Sequence, residues 1–166
     1  MRRHVPTLIF LAVLAAAGVF VFSSSSALPE RVASHFGGSG AADSFMSRRG
    51  YVTFMLVFVV GLPLVMTGIM TLVFRSATTS LNIPNREYWL TAERRPETVA
   101  FLINHNMRFG ACLAAFLSYV HWLVVQANLQ QPPELSNGAI YTALALFVIT
   151  IMAWTTWLLR AFRKPQ

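Results

Sequence analysis

The stretch Tyr51–Phe74, YVTFMLVFVVGLPLVMTGIMTLVF, contains no charged residue. Crossing the hydrocarbon core of a bilayer takes about 20 predominantly apolar residues, and this run supplies them without a break. No face of such a helix is polar enough to meet water, so its solvent must be lipid or protein. Within it, Pro63 removes a backbone donor and Gly61 thins the helix beside it, which predicts a kink.

Three further segments share this character. Val5–Phe22 and Ala139–Leu159 are apolar and uncharged, and Val99–Ala127 is apolar but interrupted by polar residues. The expected architecture is an all-α, four-helix transmembrane bundle forming one domain over residues 1–166, with spans at about 5–22, 51–74, 99–127 and 139–159. Ser23–Gly50 is a long external loop after the first span, and Arg75–Thr98 is a long cytoplasmic loop after the second. The third connection, Asn128–Gly138, is short and carries the turn signals Pro132-Pro133 and Asn137-Gly138, which makes the third and fourth spans antiparallel neighbours.

Composition agrees. The chain is 55% hydrophobic and 11% charged, against about 25% charged in soluble proteins. The net charge of +7 sits in short clusters between apolar runs, a pattern of membrane topology rather than of nucleic-acid binding. Arg2, Arg3, Arg75, Arg86, Arg94, Arg95, Arg160, Arg163 and Lys164 fall on one side, and Arg31, Arg48 and Arg49 on the other. The positive-inside rule then places both termini in the cytoplasm of a multi-pass protein of the bacterial plasma membrane. Arg2-Arg3, an apolar run and Ser25-Ser26-Ala27 also fit a cleaved signal peptide. The run is long for that role and right for a span, and cleavage leaves the orientation of the rest unchanged. The single cysteine, Cys112, lies in an apolar run and reads as a buried small residue.

The external loop holds Leu28, Pro29, Val32, His35, Phe36, Gly40, Asp43 and Arg48. Its glycines permit sharp bends, and Phe36 and Phe45 are placed to pin it to the membrane surface or to the helix tops. His35 with Asp43 and Glu30 is a weak metal pattern; hydrogen bonds that fix the loop are the favoured reading. These same residues resemble the signature of domain of unknown function 1648, the amino-terminal part of SdpI-type bacterial immunity proteins. The sequence departs from that signature at Ala33, where proline is usual, and at Gly37, where Asn or Asp is usual. In the cytoplasmic loop, Asn82, Pro84, Asn85, Tyr88 and Trp89 resemble a segment seen in the same family. The resemblance implies a multi-helix bacterial membrane protein. An immunity role is in doubt, because the separate carboxy-terminal domain of the full-length immunity proteins is not recognisable.

The third span carries Glu97, Asn104, Arg108, Ala115, Trp122 and Gln126 in one stripe, with His105 at its edge. Arg108, about 15 Å from the cytoplasmic end, is an intramembrane charge. It is expected to pack toward the second span near Pro63, helped by Asn104 or Thr67; the rival is a water-filled cavity or a bound anion beside Arg108, which would favour transport. No span carries a carboxylate, and neither HExxH nor a nucleophile with a positioned base is present. The chain is therefore expected not to be an enzyme and to need no metal or cofactor. Two classes remain. One is an immunity, sensor or accessory factor whose partners are the lipid bilayer and another membrane protein or an external peptide, with no nucleic acid. The other is a small transporter or channel subunit using the polar stripe.

Overall fold

The computed structural model describes residues 4–76 and 81–163; Arg2, Arg3 and Lys164 of the orientation argument lie outside them. In order, the elements are α1 (Val5–Ser24), a 3-10 turn (Ser25–Ala27), β1 (Arg31–Phe36), β2 (Ala42–Ser47), α2 (Arg48–Leu56), a π turn (Val57–Gly61), α3 (Leu62–Ser76), the short α4 (Arg86–Trp89), α5 (Arg95–Asn128) and α6 (Asn137–Ala161). The helix Arg48–Ser76 is continuous through its π turn. With Val5–Ala27, Arg95–Asn128 and Asn137–Ala161 it makes four helices long and apolar enough to cross a membrane. Each contains its expected span and extends it to the caps. Ser47 Oγ accepts from Gly50 N at 3.1 Å to open α2, and Ser136 Oγ accepts from Ala139 N at 3.3 Å to open α6.

The kink expected at Pro63 takes the form of a π turn. The Leu62 amide reaches back to the Val57 carbonyl, widening the helix just before the residue that has no donor. The disturbance is absorbed within the helix itself.

The helices are not four equal members of a bundle. α1, α2–α3 and α5 share the core. Val21, Val32 and Val59 are fully buried among Ala17, Leu28, Tyr51, Met55, Leu117 and Val125, and Phe10, Leu14, Met107 and Ala114 continue the packing toward the other end. The closest approach is at Gly110, where α1, α3 and α5 meet at Phe10 and Thr67. α6 lies against α5, the expected antiparallel neighbour, but buries none of its residues. Phe116 stacks on Phe147, and His105 on Trp157.

The all-α expectation fails in the first long loop, which folds into an antiparallel hairpin. Arg31 pairs with Ser47, Val32 with Met46, Ala33 with Phe45, His35 with Ser44 and Phe36 with Ala42, with irregularities on either side of His35. A lone two-stranded hairpin is marginal in water, so its order here must come from what it rests on.

Candidate functional site

The hairpin rests on the bundle through four attachments, and half of the external signature residues make them. Leu28 and Val32 drop into the core, 2% and 0% exposed. Arg48 donates from Nη1 to the Leu28 carbonyl at 3.0 Å, and its amide donates to Glu30 O at 2.9 Å. Asn128, at the end of α5, reads the β1 backbone as a neighbouring strand would. Its Oδ1 accepts from Ala33 N at 2.8 Å, and its Nδ2 donates to Ala33 O at 3.0 Å. Gly40 adopts φ +89° and takes the Leu135 amide on its carbonyl at 2.8 Å. A Cβ on Gly40 would stand 2.5 Å from the Leu135 carbonyl oxygen, so only glycine fits both the conformation and the contact. Pro29 is exposed and Phe36 half-buried. The hairpin and the α5–α6 connection thus form one platform.

What the platform leaves open is β2. Asp43, Ser44, Phe45 and Ser47 are exposed. His35 Nδ1 and Asp43 Oδ1 meet at 2.6 Å, as the sequence predicts, with side chains 71% and 51% exposed. Arg31 stands 5.7 Å from the Phe45 ring centroid. Among the described residues, no three His, Cys, Asp or Glu side chains converge as a metal would require.

Beneath the platform lies a buried polar chain that sequence reading passed over. His121 is fully buried. Its Nε2 is 2.8 Å from Ser24 Oγ and its Nδ1 is 2.9 Å from Tyr51 OH. The Ser24 hydroxyl donates to the Phe20 carbonyl at 2.6 Å, because a carbonyl only accepts. Ser24 Oγ therefore accepts from Nε2–H, and Nδ1 accepts from the Tyr51 hydroxyl. The chain Tyr51 → His121 → Ser24 → Phe20 O satisfies every donor with a neutral imidazole and ties α1, α2 and α5 together. No carboxylate stands in it, and each proton is committed to a neighbour.

At the opposite end, the signature in the second long loop closes α6. Asn85 Nδ2 and Trp89 Nε1 both donate to the Phe162 carbonyl at 2.9 Å, satisfying an orphan acceptor of the helix terminus. Asn85 takes a left-handed conformation, φ 52°. Tyr88 carries the Arg94 guanidinium at 4.0 Å from its ring centroid. Asn82 and Pro84 lie in the preceding segment, which brings Ile83 to the cluster around Leu81, Leu102 and Phe162.

Arg108 is not where the sequence argument puts it. It is exposed and lines a groove with His105, Ile149, Thr150, Ala153, Trp154 and Trp157, between α5 and α6. The polar contact to the second span is made by Asn106, whose Nδ2 donates to Thr67 O at 2.8 Å and to Thr71 Oγ1 at 3.2 Å. Two residues on a helix are about 200° apart, so a helix that turns Asn106 toward α3 turns Arg108 away. The stripe of Glu97, Arg108, Ala115, Trp122 and Gln126 is exposed, with Asn104 half-buried. Since the π turn absorbs the Pro63 defect, no distant cation is drawn to it. The polar groups that α5 buries are instead Thr98, His105, His121 and Asn128, with Asn106 half-buried against α3. The depth estimate changes too. Leu102 packs with Phe162 at the end of α6, so Arg108 lies about 9 Å inward of that level.

No match was found among curated proteins or among solved structures. One family model does match, over residues 8–67. That region runs from α1 through the hairpin to Thr67, holds all the external signature residues, and ends before the segment around Asn85 and Trp89. Residues 8–67 are similar to the family described as Domain of unknown function (DUF1648).

Proposed function

We propose that the chain is a non-enzymatic multi-pass protein of the bacterial plasma membrane, an immunity, sensor or accessory factor. In this reading the hairpin platform recognises another membrane protein or an external peptide. One observation carries it: β1 is fastened to α5 through the Ala33–Asn128 pairing, while β2 exposes Asp43, Ser44, Phe45 and Ser47 beyond its start, where Ala42 N donates to Pro133 O at 3.4 Å. A strand held in place and exposed from Asp43 to Phe45 suits recognition by strand addition, where backbone hydrogen bonds supply affinity and alternate side chains supply selectivity. His35, Asp43 and Phe45 are the side chains that would select.

Orientation follows from charge. Among the described residues Arg75, Arg86, Arg94, Arg95, Arg160 and Arg163 gather at the α4 end, against Arg31, Arg48 and Arg49 at the hairpin end. That asymmetry favours an external hairpin and cytoplasmic termini. The alternative, a small transporter or channel subunit, draws on Arg108 in its groove. The rest of that groove is apolar apart from His105 and Thr150, which is a poor path for a polar solute. The test is a photo-crosslinking residue at Ser44 in native membranes. A discrete adduct that disappears in Asn128→Ala supports recognition by the anchored hairpin. An adduct at Arg86 of α4 with none at Ser44 would move the recognition surface to the other end.

A further inference from the structure

We infer that the groove between α5 and α6 seats an anionic phospholipid with a hydroxylated headgroup: phosphate on Arg108, hydroxyl on His105, acyl chain along α6. This depends on bilayer insertion and not on the role of the hairpin.

Three observations meet in the groove. First, Arg108 is exposed and no acidic side chain lines the groove with it. Among the described residues it has neither a hydrogen-bond acceptor nor an ion-pair partner. A guanidinium carries five donors in a planar fork suited to phosphate, and one facing lipid finds its nearest anion in the headgroups.

Second, His105 is 6% exposed and half satisfied. Its Nδ1 lies 2.8 Å from the Phe101 carbonyl, which only accepts, so Nδ1 carries the proton and Nε2 presents a lone pair. That lone pair is buried with no partner. A buried orphan acceptor beside an orphan cation calls for a ligand that is anionic and also has a hydroxyl to donate. Trp154 and Trp157 cover the imidazole, with ring centroids 5.9 Å and 5.0 Å away. Both belong to α6, which buries no residue, so little packing opposes the small displacement that admits a hydroxyl.

Third, the groove has the shape of an amphiphile. Its polar part, about 540 Å³, continues past Thr150 into a further 600 Å³ lined by Cys112, Phe116, Leu146 and Phe147, with no charged residue. The polar part lies toward the α4 end, about 9 Å inward of the Leu102 and Phe162 level. Tryptophans at Trp154 and Trp157 suit that interfacial depth.

The experiment uses the full chain in mild detergent. Native mass spectrometry follows retention of phosphatidylglycerol, phosphatidylcholine and phosphatidylethanol with identical acyl chains, and glycerol 3-phosphate is added as a soluble competitor. Phosphatidylglycerol should be held about tenfold more tightly than phosphatidylcholine, and Arg108→Gln should remove that difference, as loss of a charge-assisted bidentate contact predicts. Arg160→Gln should leave it in place. His105→Phe should erase the preference for phosphatidylglycerol over phosphatidylethanol, which has the charge but no hydroxyl. Should Arg108→Gln not fold, Ala153→Trp keeps the charge and fills the groove, and it should release the lipid. Equal retention of phosphatidylglycerol and phosphatidylcholine by the unmodified protein overturns the inference, as does an undiminished preference in both Arg108→Gln and Ala153→Trp. Displacement of lipid by equimolar glycerol 3-phosphate would make the site one for a free phosphoester. A change in oligomeric mass without a change in lipid retention would make the groove a contact between copies of the chain.

Discussion

Replacing Gly110 by alanine tests the bundle at its tightest point. A Cβ there would stand 2.4 Å from Thr67 Cγ2 and 2.8 Å from Phe10 Cε2, where carbon atoms prefer about 3.5–4.0 Å. Thr67 has little freedom to retreat. Its hydroxyl donates to Pro63 O at 2.8 Å, and its carbonyl accepts from Asn106 at 2.8 Å. Relief therefore separates α3 from α5 by about 1 Å. Overpacking of this kind costs about 1–3 kcal/mol, and the strained Asn106 bond adds about 0.6 kcal/mol, the average for interhelical bonds in membranes. The expected loss is about 2–3 kcal/mol in reversible unfolding of the detergent-solubilised protein. Gly18→Ala is the control: its Cβ would meet Val60 Cγ2 at 3.6 Å, an ordinary contact, so its effect should stay within about 0.5 kcal/mol. Thr67→Ser removes the offending methyl and keeps the hydroxyl, so the double variant Gly110→Ala/Thr67→Ser should recover at least about 1 kcal/mol of coupling. If Gly110→Ala matches Gly18→Ala, the three helices do not meet as described and the reasoning fails.

Other predictions follow from the two ends. His121→Phe strands the Tyr51 hydroxyl and should cost about 1–3 kcal/mol in the same unfolding assay, whereas His121→Phe/Tyr51→Phe should cost less than the single change; a worse double variant would refute the chain of bonds. Asn128→Ala leaves the buried Ala33 amide and carbonyl unpaired, so trypsin should cut at Arg31 at least about tenfold faster in proteoliposomes, from about 1.4 kcal/mol or more of local destabilisation. Asp43→Ala removes only an exposed pair worth about 0–1 kcal/mol and should accelerate cutting less; the reverse ranking would show that the clasp, not Asn128, holds the hairpin. Gly40→Ala should detach the Leu135 segment and raise hydrogen exchange at its amide, and unchanged exchange would exclude that contact. In a Cys112→Ser background, an impermeant thiol reagent added outside should label Ser39→Cys and not Ala92→Cys; the opposite pattern would invert the proposed orientation.

The spans were legible because lipid solvation demands long uncharged runs, a constraint local to each segment. The hairpin was not. Ala42, Asp43 and Ser44 have little strand propensity, and what orders β1 is Asn128, far along the chain. His35–Asp43 was readable because eight residues and three glycines bring the two together within one turn region. The Tyr51–His121–Ser24 chain joins three helices, and only a helical wheel placing His121 on the apolar face could have raised the question of its partners. Arg108 was misplaced for a related reason. Its stripe was assumed to face protein because it is polar, yet most of the protein-facing side of α5 is apolar, with single polar residues matched one to one.

That contrast separates two uses of polarity in this chain. Asn106, His121 and Asn128 each have partners at 2.8–3.0 Å on another element, and each joins α5 to a part of the residues 8–67 region or, through Thr71, its immediate continuation. They hold the residues 8–67 region onto a helix that lies outside it. Arg108 and the His105 Nε2 atom face the other way, toward α6, and are unmatched. Satisfied polar groups in a bilayer fasten helices; unsatisfied ones cost free energy unless something outside the chain completes them. The side of α5 that faces α6 is therefore where the folded chain alone is incomplete, and the side that faces α1 and the hairpin is where it is complete. A change that damages the second should unfold the protein. A change confined to the first should leave it folded and alter only what it holds.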